Sequence, residues 1–217
     1  CVLSGNDPAY LSLKEKLHDD VKLFPSLFPP PPRDKPKLIQ IIFFCFYFVR
    51  NLILLLFTSF LNNKSSFLLF SKEQASFNAF AESDLIISKG GGFLYSKKSI
   101  KSFLFLLRIL YPLILGIVMG KKVILFSQTV GPIKSRIGSF ILKVVLNHTA
   151  LIFLRESFSY DLLINLGIPK VKLIKIPDSA FYLKPLTNGF SLIFKNNKIK
   201  PGVNYVCVTV RQWPFGG

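Results

Sequence analysis

A chain of 217 residues holds one domain of ordinary size or slightly more. Its 28 Lys and Arg against 11 Asp and Glu give a formal charge of +17, which favours phosphorylated substrates, acidic glycans or a membrane surface as partners. Nucleic acid is set aside because no basic helix carries base-reading residues. A disulfide framework and a zinc site are set aside because Cys1, Cys45 and Cys207 are odd in number and far apart, a usage that fits a reducing cytoplasm. Compositional bias towards Lys, Phe, Ile and Asn is the alternative source of the charge.

In chain order, Cys1 to Leu3 reads as a strand ending in the turn cluster Ser4-Gly5-Asn6-Asp7-Pro8. Ala9 to Leu17 has helical spacing with Asp7 as its cap, and Val21 to Phe24 is a second strand. Phe28 to Pro36, broken by the run Pro29 to Pro32, is expected to be an extended surface loop. Leu38 to Leu61 is almost wholly apolar, interrupted by Gln40, Arg50 and Asn51. Its length matches the roughly 20 residues that cross a bilayer. Arg50 at the centre of a span would cost about 2.5–3.5 kcal/mol. A helix buried in the domain or lying on a membrane face is preferred, because the strands flanking this segment read as one sheet.

From Glu73 a helix leads to the strand Leu85 to Ser88, an apolar run read as buried on both faces. It ends in Gly90-Gly91-Gly92, where absent side chains would let a ligand approach the main chain before a following helix. That stretch fits neither GxGxxG nor a Walker loop. A long apolar helix, Ser99 to Met119, contains Pro112 and ends at Gly120. The strand Val123 to Phe126 follows, then the loop Ser127 to Pro132, with Ser135 capping a helix from Arg136 to Leu146. Leu151 to Leu154 is a strand. The next helix stops at Gly167 with Pro169 behind it, and Val171 to Ile174 is a short strand.

Short buried strands alternating with helices predict an α/β fold with a doubly wound, parallel, Rossmann-like sheet. The domain is expected over 1–183, a polar linker over 184–203, and the first strand of a second unit over 204–217. With no initiator Met and an unpaired last strand, the chain is expected to be cut at both ends.

Ligands bind outside the carboxyl ends of the strands in such a sheet. Four strands end there in unusual groups: Gly90 to Gly92; Gln128 with Gly131 and Pro132; Arg155 and Glu156 with Ser159; and Asp178 with Ser179. Arg155 is the candidate anion holder, because its guanidinium is a permanent, fork-shaped cation. A salt bridge to Glu156 or Asp178 is its alternative role. Gln128 suits a hydroxyl or carboxylate, or else braces a loop. Asp178 is a base, a hydroxyl acceptor or simply a turn residue. Glu156 caps or orients, and Ser157 and Ser159 read mostly as caps. His148 precedes its strand and so falls at the wrong end of the sheet. No metal-ligand cluster or Ser–His–Asp set is present.

Taken together, Asp84-Leu-Ile-Ile-Ser-Lys-Gly-Gly-Gly, Gly120-Lys-Lys-Val-Ile-Leu-Phe-Ser-Gln-Thr-Val-Gly-Pro, Leu154-Arg-Glu-Ser-Phe-Ser, Leu166-Gly-Ile and Pro177-Asp-Ser-Ala-Phe resemble the polysaccharide pyruvyl transferase family in order and spacing. The resemblance implies a GT-B-like enzyme of two Rossmann-like domains, of which this chain is the N-terminal half. It implies transfer of the pyruvyl group of phosphoenolpyruvate onto two sugar hydroxyls as a ketal, with no further cofactor. The implied acceptor is a cell-surface glycan or lipid-linked saccharide, handled in the cytoplasm at the inner face of the plasma membrane.

On the resemblance, Arg155 acts on the donor's phosphate or carboxylate. Gly90, Gly91, Gly92, Gln128, Gly131, Glu156, Ser159 and Asp178 line the cleft, and Arg211 is the first contribution of the second domain. The family's opening strand, with its Gly-Asn and Gly-Asp turn, is absent, as is most of the second domain, so the chain is not expected to catalyse alone. Two other classes compete: a GT-B glycosyltransferase using a sugar nucleotide, which would want a carboxylate for the ribose hydroxyls, and a non-catalytic membrane-associated protein.

Overall fold

The computed structural model describes residues 2–4, 21–32, 34–60 and 65–182. The expected helix over 9–17, the linker, the strand of the second unit and Arg211 lie outside the described residues. The chain divides into two compact units, Cys1–Ser179 and Ala180–Gly217. Every α-helix and strand assigned to the described residues lies in the first.

The elements run β1 (Val2–Ser4), β2 (Lys22–Phe24), α1 (Lys37–Phe60), α2 (Ser71–Glu82), β3 (Leu85–Ser88), β4 (Leu94–Ser96), α3 (Ile100–Val118), β5 (Lys122–Gln128), β6 (Val130–Ile133), α4 (Arg136–Asn147), β7 (Leu151–Leu154), α5 (Ser157–Asn165) and β8 (Leu173–Lys175). Strands β3, β5, β7 and β8 form one parallel sheet in that spatial order. Parallel neighbours need a crossover, and α3, α4 and α5 supply the three in turn. The architecture is α/β and Rossmann-like, as the alternation of elements predicts.

Helix ends follow local chemistry. Ser99 and Ser135 cap α3 and α4, their hydroxyls accepting from Ser102 N at 3.3 Å and Gly138 N at 3.1 Å. Gly167, at φ +80°, turns the chain beyond α5 in a conformation that favours glycine. Val123, Leu125, Ile152, Leu154 and Leu173 point to one side of the sheet. There they meet Leu106 and Leu110 of α3, Leu142 and Leu146 of α4, and Leu163 of α5. A second core joins α1, α2 and α3 through Leu54, Phe77, Tyr111 and Leu115, with Leu27 and Phe28 inserted from the loop before α1.

Several expectations are corrected. Strand β3 is partly buried on one face only: Leu85 and Ile87 are exposed, while Ile86 and Ser88 are half-buried. The glycine run does not open a helix; it leads into β4, and the next helix begins at Ile100. Residues 130–133, read as loop, pair as β6 with β4 in a separate parallel ladder. Phe28 is no surface residue but a core anchor, 3% exposed. Among the described residues β2 pairs only with β1, so the strands flanking α1 do not share a sheet. Helix α1 itself buries only Asn51, Leu54 and Thr58.

Candidate functional site

The carboxyl ends of β3, β5 and β7 meet at one rim, and hydrogen bonds show how. Strand β5 continues past its neighbours to Gln128, whose side chain is fully buried. Gln128 Nε2 donates to Gly91 O at 2.6 Å, and Thr129 N donates to the same carbonyl at 3.0 Å. Arg155 N reaches Gln128 O at 3.4 Å, joining β7 to the same point. The glycine turn, the end of β5 and the end of β7 are therefore a single bonded unit.

Arg155 sits at its centre. Its Nε donates to Thr129 Oγ1 at 2.6 Å, and its Nη1 donates to Asp178 Oδ2. The Thr129 hydroxyl in turn donates to Glu156 Oε1 at 3.1 Å, and that carboxylate lies 3.8 Å from Arg155 Nε. The salt-bridge alternative for Arg155 is thus realised with both carboxylates, closely with Asp178 and more loosely with Glu156. Two donors of the guanidinium fork are used. Nη2 has no partner among the described residues, and the side chain is 21% exposed. The group is held in a fixed plane with one nitrogen left towards solvent.

Other residues brace the rim. Ser159 is fully buried; its hydroxyl donates to Val130 O at 3.2 Å and accepts from Val130 N at 2.9 Å. Gly90 lies so close to β5 that a Cβ there would come 2.3 Å from Ser127 O. Gly131, at φ +99°, presses on Leu162 and Phe158 of α5. These three tie elements together, whereas Gly91 offers its carbonyl to Gln128 and Thr129. Gly92 is half-buried in the same turn. Glu156 stands at the cap position of α5 but makes no side-chain cap bond, directing its carboxylate to Thr129 instead.

Gln128 shows an imbalance. Its amide nitrogen is satisfied, yet Oε1 is buried with no hydrogen-bond partner among the described residues. A buried acceptor left unpaired costs about 1–3 kcal/mol. Next to it, Ser127 adopts φ 51°, a left-handed conformation uncommon for a residue with a side chain. Its hydroxyl accepts from Ser179 N at 3.1 Å and so draws the segment carrying Asp178 to the rim.

Sequence reading passed over Ser127, Thr129 and Lys175. Thr129 bridges Arg155 and Glu156, yet it looks like one more loop residue in the sequence. The available clue was its position directly after a buried glutamine at a strand end. Lys175, at the end of β8, places Nζ 3.3 Å from Ser157 Oγ and 4.6 Å from the centre of the Tyr160 ring, adding an exposed cation. His148 caps the far end of α4, before β7, with Nδ1 2.7 Å from Val144 O.

No curated protein and no solved structure was found to match this chain. The family model described as polysaccharide pyruvyl transferase matches residues 10–213, a span that includes the whole rim, and the chain belongs to that family.

Proposed function

We propose that the protein transfers the pyruvyl group of phosphoenolpyruvate to two hydroxyls of a cell-surface glycan or lipid-linked saccharide, forming a ketal. The donor's methylene carbon takes a proton and becomes methyl. Both sugar oxygens add to the adjacent carbon, whose bond to the phosphate oxygen breaks, and inorganic phosphate leaves with the second proton. Because a phosphorylated metabolite is the donor, the reaction belongs to the cytoplasmic side of the membrane.

One observation carries this reading: a guanidinium fixed at the carboxyl ends of parallel strands with one nitrogen still unengaged. Asp178 and Thr129 hold its plane, and Nη2 would take the donor's carboxylate or phosphate. The unpaired Gln128 Oε1 would accept from an acceptor hydroxyl once the rim is occupied. Gly91 and Gly92 would let the substrate approach the main chain.

The test uses the full-length protein with carbon-labelled phosphoenolpyruvate and a lipid-linked saccharide acceptor. Label should enter the saccharide in acid-labile form, with one phosphate released per pyruvyl group. Label that stays with phosphoenolpyruvate while a sugar nucleotide is consumed would mark a glycosyltransferase instead.

A further inference from the structure

Helix α1 has two unlike sides. About 36 Å long for its 24 residues, it begins at the exposed Lys37 and directs Gln40, Arg50, Asn51 and Thr58 to backbone or side-chain partners. Arg50, the residue that makes a bilayer span costly, donates through Nη1 to Glu73 Oε2 at 2.6 Å and through Nη2 to Leu27 O at 2.8 Å. Asn51 donates to Leu27 O at 3.1 Å, Thr58 to Leu54 O at 2.7 Å, and Gln40 to Lys35 O at 2.8 Å.

The opposite side is apolar from end to end. Leu38, Ile42, Phe46, Val49, Leu52 and Phe60 fall within an arc of about 120° at 3.6 residues per turn. Their exposure runs from 49% at Leu52 to 82% at Phe60. Phe67, exposed and 6.0 Å from the Phe57 ring, widens the strip. Monomeric proteins rarely present so continuous an apolar patch to water.

We propose that α1 lies along the surface of an anionic lipid bilayer, its apolar side among the upper acyl chains and its Arg50 side against the domain. Charge selects this occupant. At +17 the chain is drawn to anionic lipid, whereas a second copy would bring the same +17 and be repelled. Two lysines near this helix are exposed: Lys37 at the start of the strip, and Lys72, next to Glu73, the partner of Arg50. Their stems can run along the apolar surface while the ammonium groups reach the headgroups. A bilayer span is disfavoured because Arg50 and Asn51 bolt the middle of α1 to Leu27 and Glu73. These contacts rest on α1 and its neighbours, so the proposal does not depend on the pyruvyl-transfer reading.

The test is flotation of the complete 217-residue chain with vesicles of phosphatidylcholine, with and without phosphatidylglycerol. The wild type should float with the anionic vesicles, be released by alkaline carbonate, and bind neutral vesicles at least about tenfold less. Ile42→Glu/Phe46→Glu should reduce anionic flotation by a further factor of about ten or more, with an unchanged circular dichroism spectrum because both positions are exposed. Val49→Glu, in the next turn, should reproduce the loss. Four results would overturn the proposal: no flotation, flotation indifferent to lipid charge or to the substitutions, resistance to carbonate, or a wild-type dimer that the glutamates dissolve.

Discussion

Arg155 donates through Nε to the hydroxyl of Thr129 at 2.6 Å, and Thr129 passes the contact on to Glu156. A side chain that sequence reading treats as loop therefore sets the plane of the cation proposed to hold the donor. Hydrogen bonds involving a charged group are worth about 1.5–3 kcal/mol. In the full-length protein, Thr129→Val should raise the KM for phosphoenolpyruvate about tenfold or more and change kcat less. Thr129→Ser should restore most of the loss. Equal falls in kcat and in folded yield for both variants would make Thr129 a folding residue rather than a positioning one.

Gly90 is required by the backbone of β5. A Cβ at this position would meet the carbonyls of Ser127 and Phe126, and neither can rotate away. Overpacking of this kind costs about 1–3 kcal/mol. Gly90→Ala should lower the midpoint of urea unfolding accordingly. Gly120→Ala is the informative control, since no neighbour lies within 4 Å there and only its φ of +71° opposes a side chain. A Gly90→Ala chain as stable as wild type would contradict the close packing of the glycine turn on β5.

Arg50 and Glu73 form a nearly buried pair, their side chains 10% and 8% exposed. Removing one member leaves a buried charge uncompensated, a loss of about 3–5 kcal/mol. Glu73→Ala should therefore destabilise strongly, and Arg50→Met/Glu73→Leu should recover much of the loss. Chemical denaturation of the single and double variants measures the coupling. Additive losses would show that the pair is not coupled.

Tyr111 lies beside this pair. Burial pushes its hydroxyl well above the usual tyrosine range; Arg50 opposes this, and Glu73 adds a smaller push in the same direction as burial. Its oxygen has no hydrogen-bond partner among the described residues. The folded state holds this proton more tightly than the unfolded chain, so stability falls as pH rises above about 10, where unfolded tyrosine ionises. Tyr111→Phe should match or exceed wild-type stability at neutral pH and decline less steeply in alkali. Urea titrations at both pH values compare the two slopes, and identical slopes would contradict the burial of the hydroxyl.

The order of strands and helices was readable because buried apolar runs, serine caps and the Gly167 stop are local signals. Convergence of Gly91, Gln128 and Arg155 followed from one rule about parallel sheets, and the hydrogen bonds show them at one rim. Pairing was harder to read. Strand β6 contains Gly131 and Pro132, which argue against a strand until β4 is there to pair with it. Burial of β3 on one face and exposure of α1 are tertiary outcomes, since an apolar run looks the same whichever side is covered. Arg155 left two partners open, and the structure gives it both, Asp178 at Nη1 and Glu156 3.8 Å from Nε.

Arg155 is proposed to hold the donor. The most direct measurement compares acid-labile pyruvate transferred to saccharide by full-length wild type, Arg155→Lys and Arg155→Ala over a range of phosphoenolpyruvate concentrations. A lost charged, fork-shaped contact predicts a fall in kcat/KM of about tenfold to a hundredfold for Arg155→Ala, with Arg155→Lys only partly restored. Unchanged transfer by folded Arg155→Ala would contradict the account.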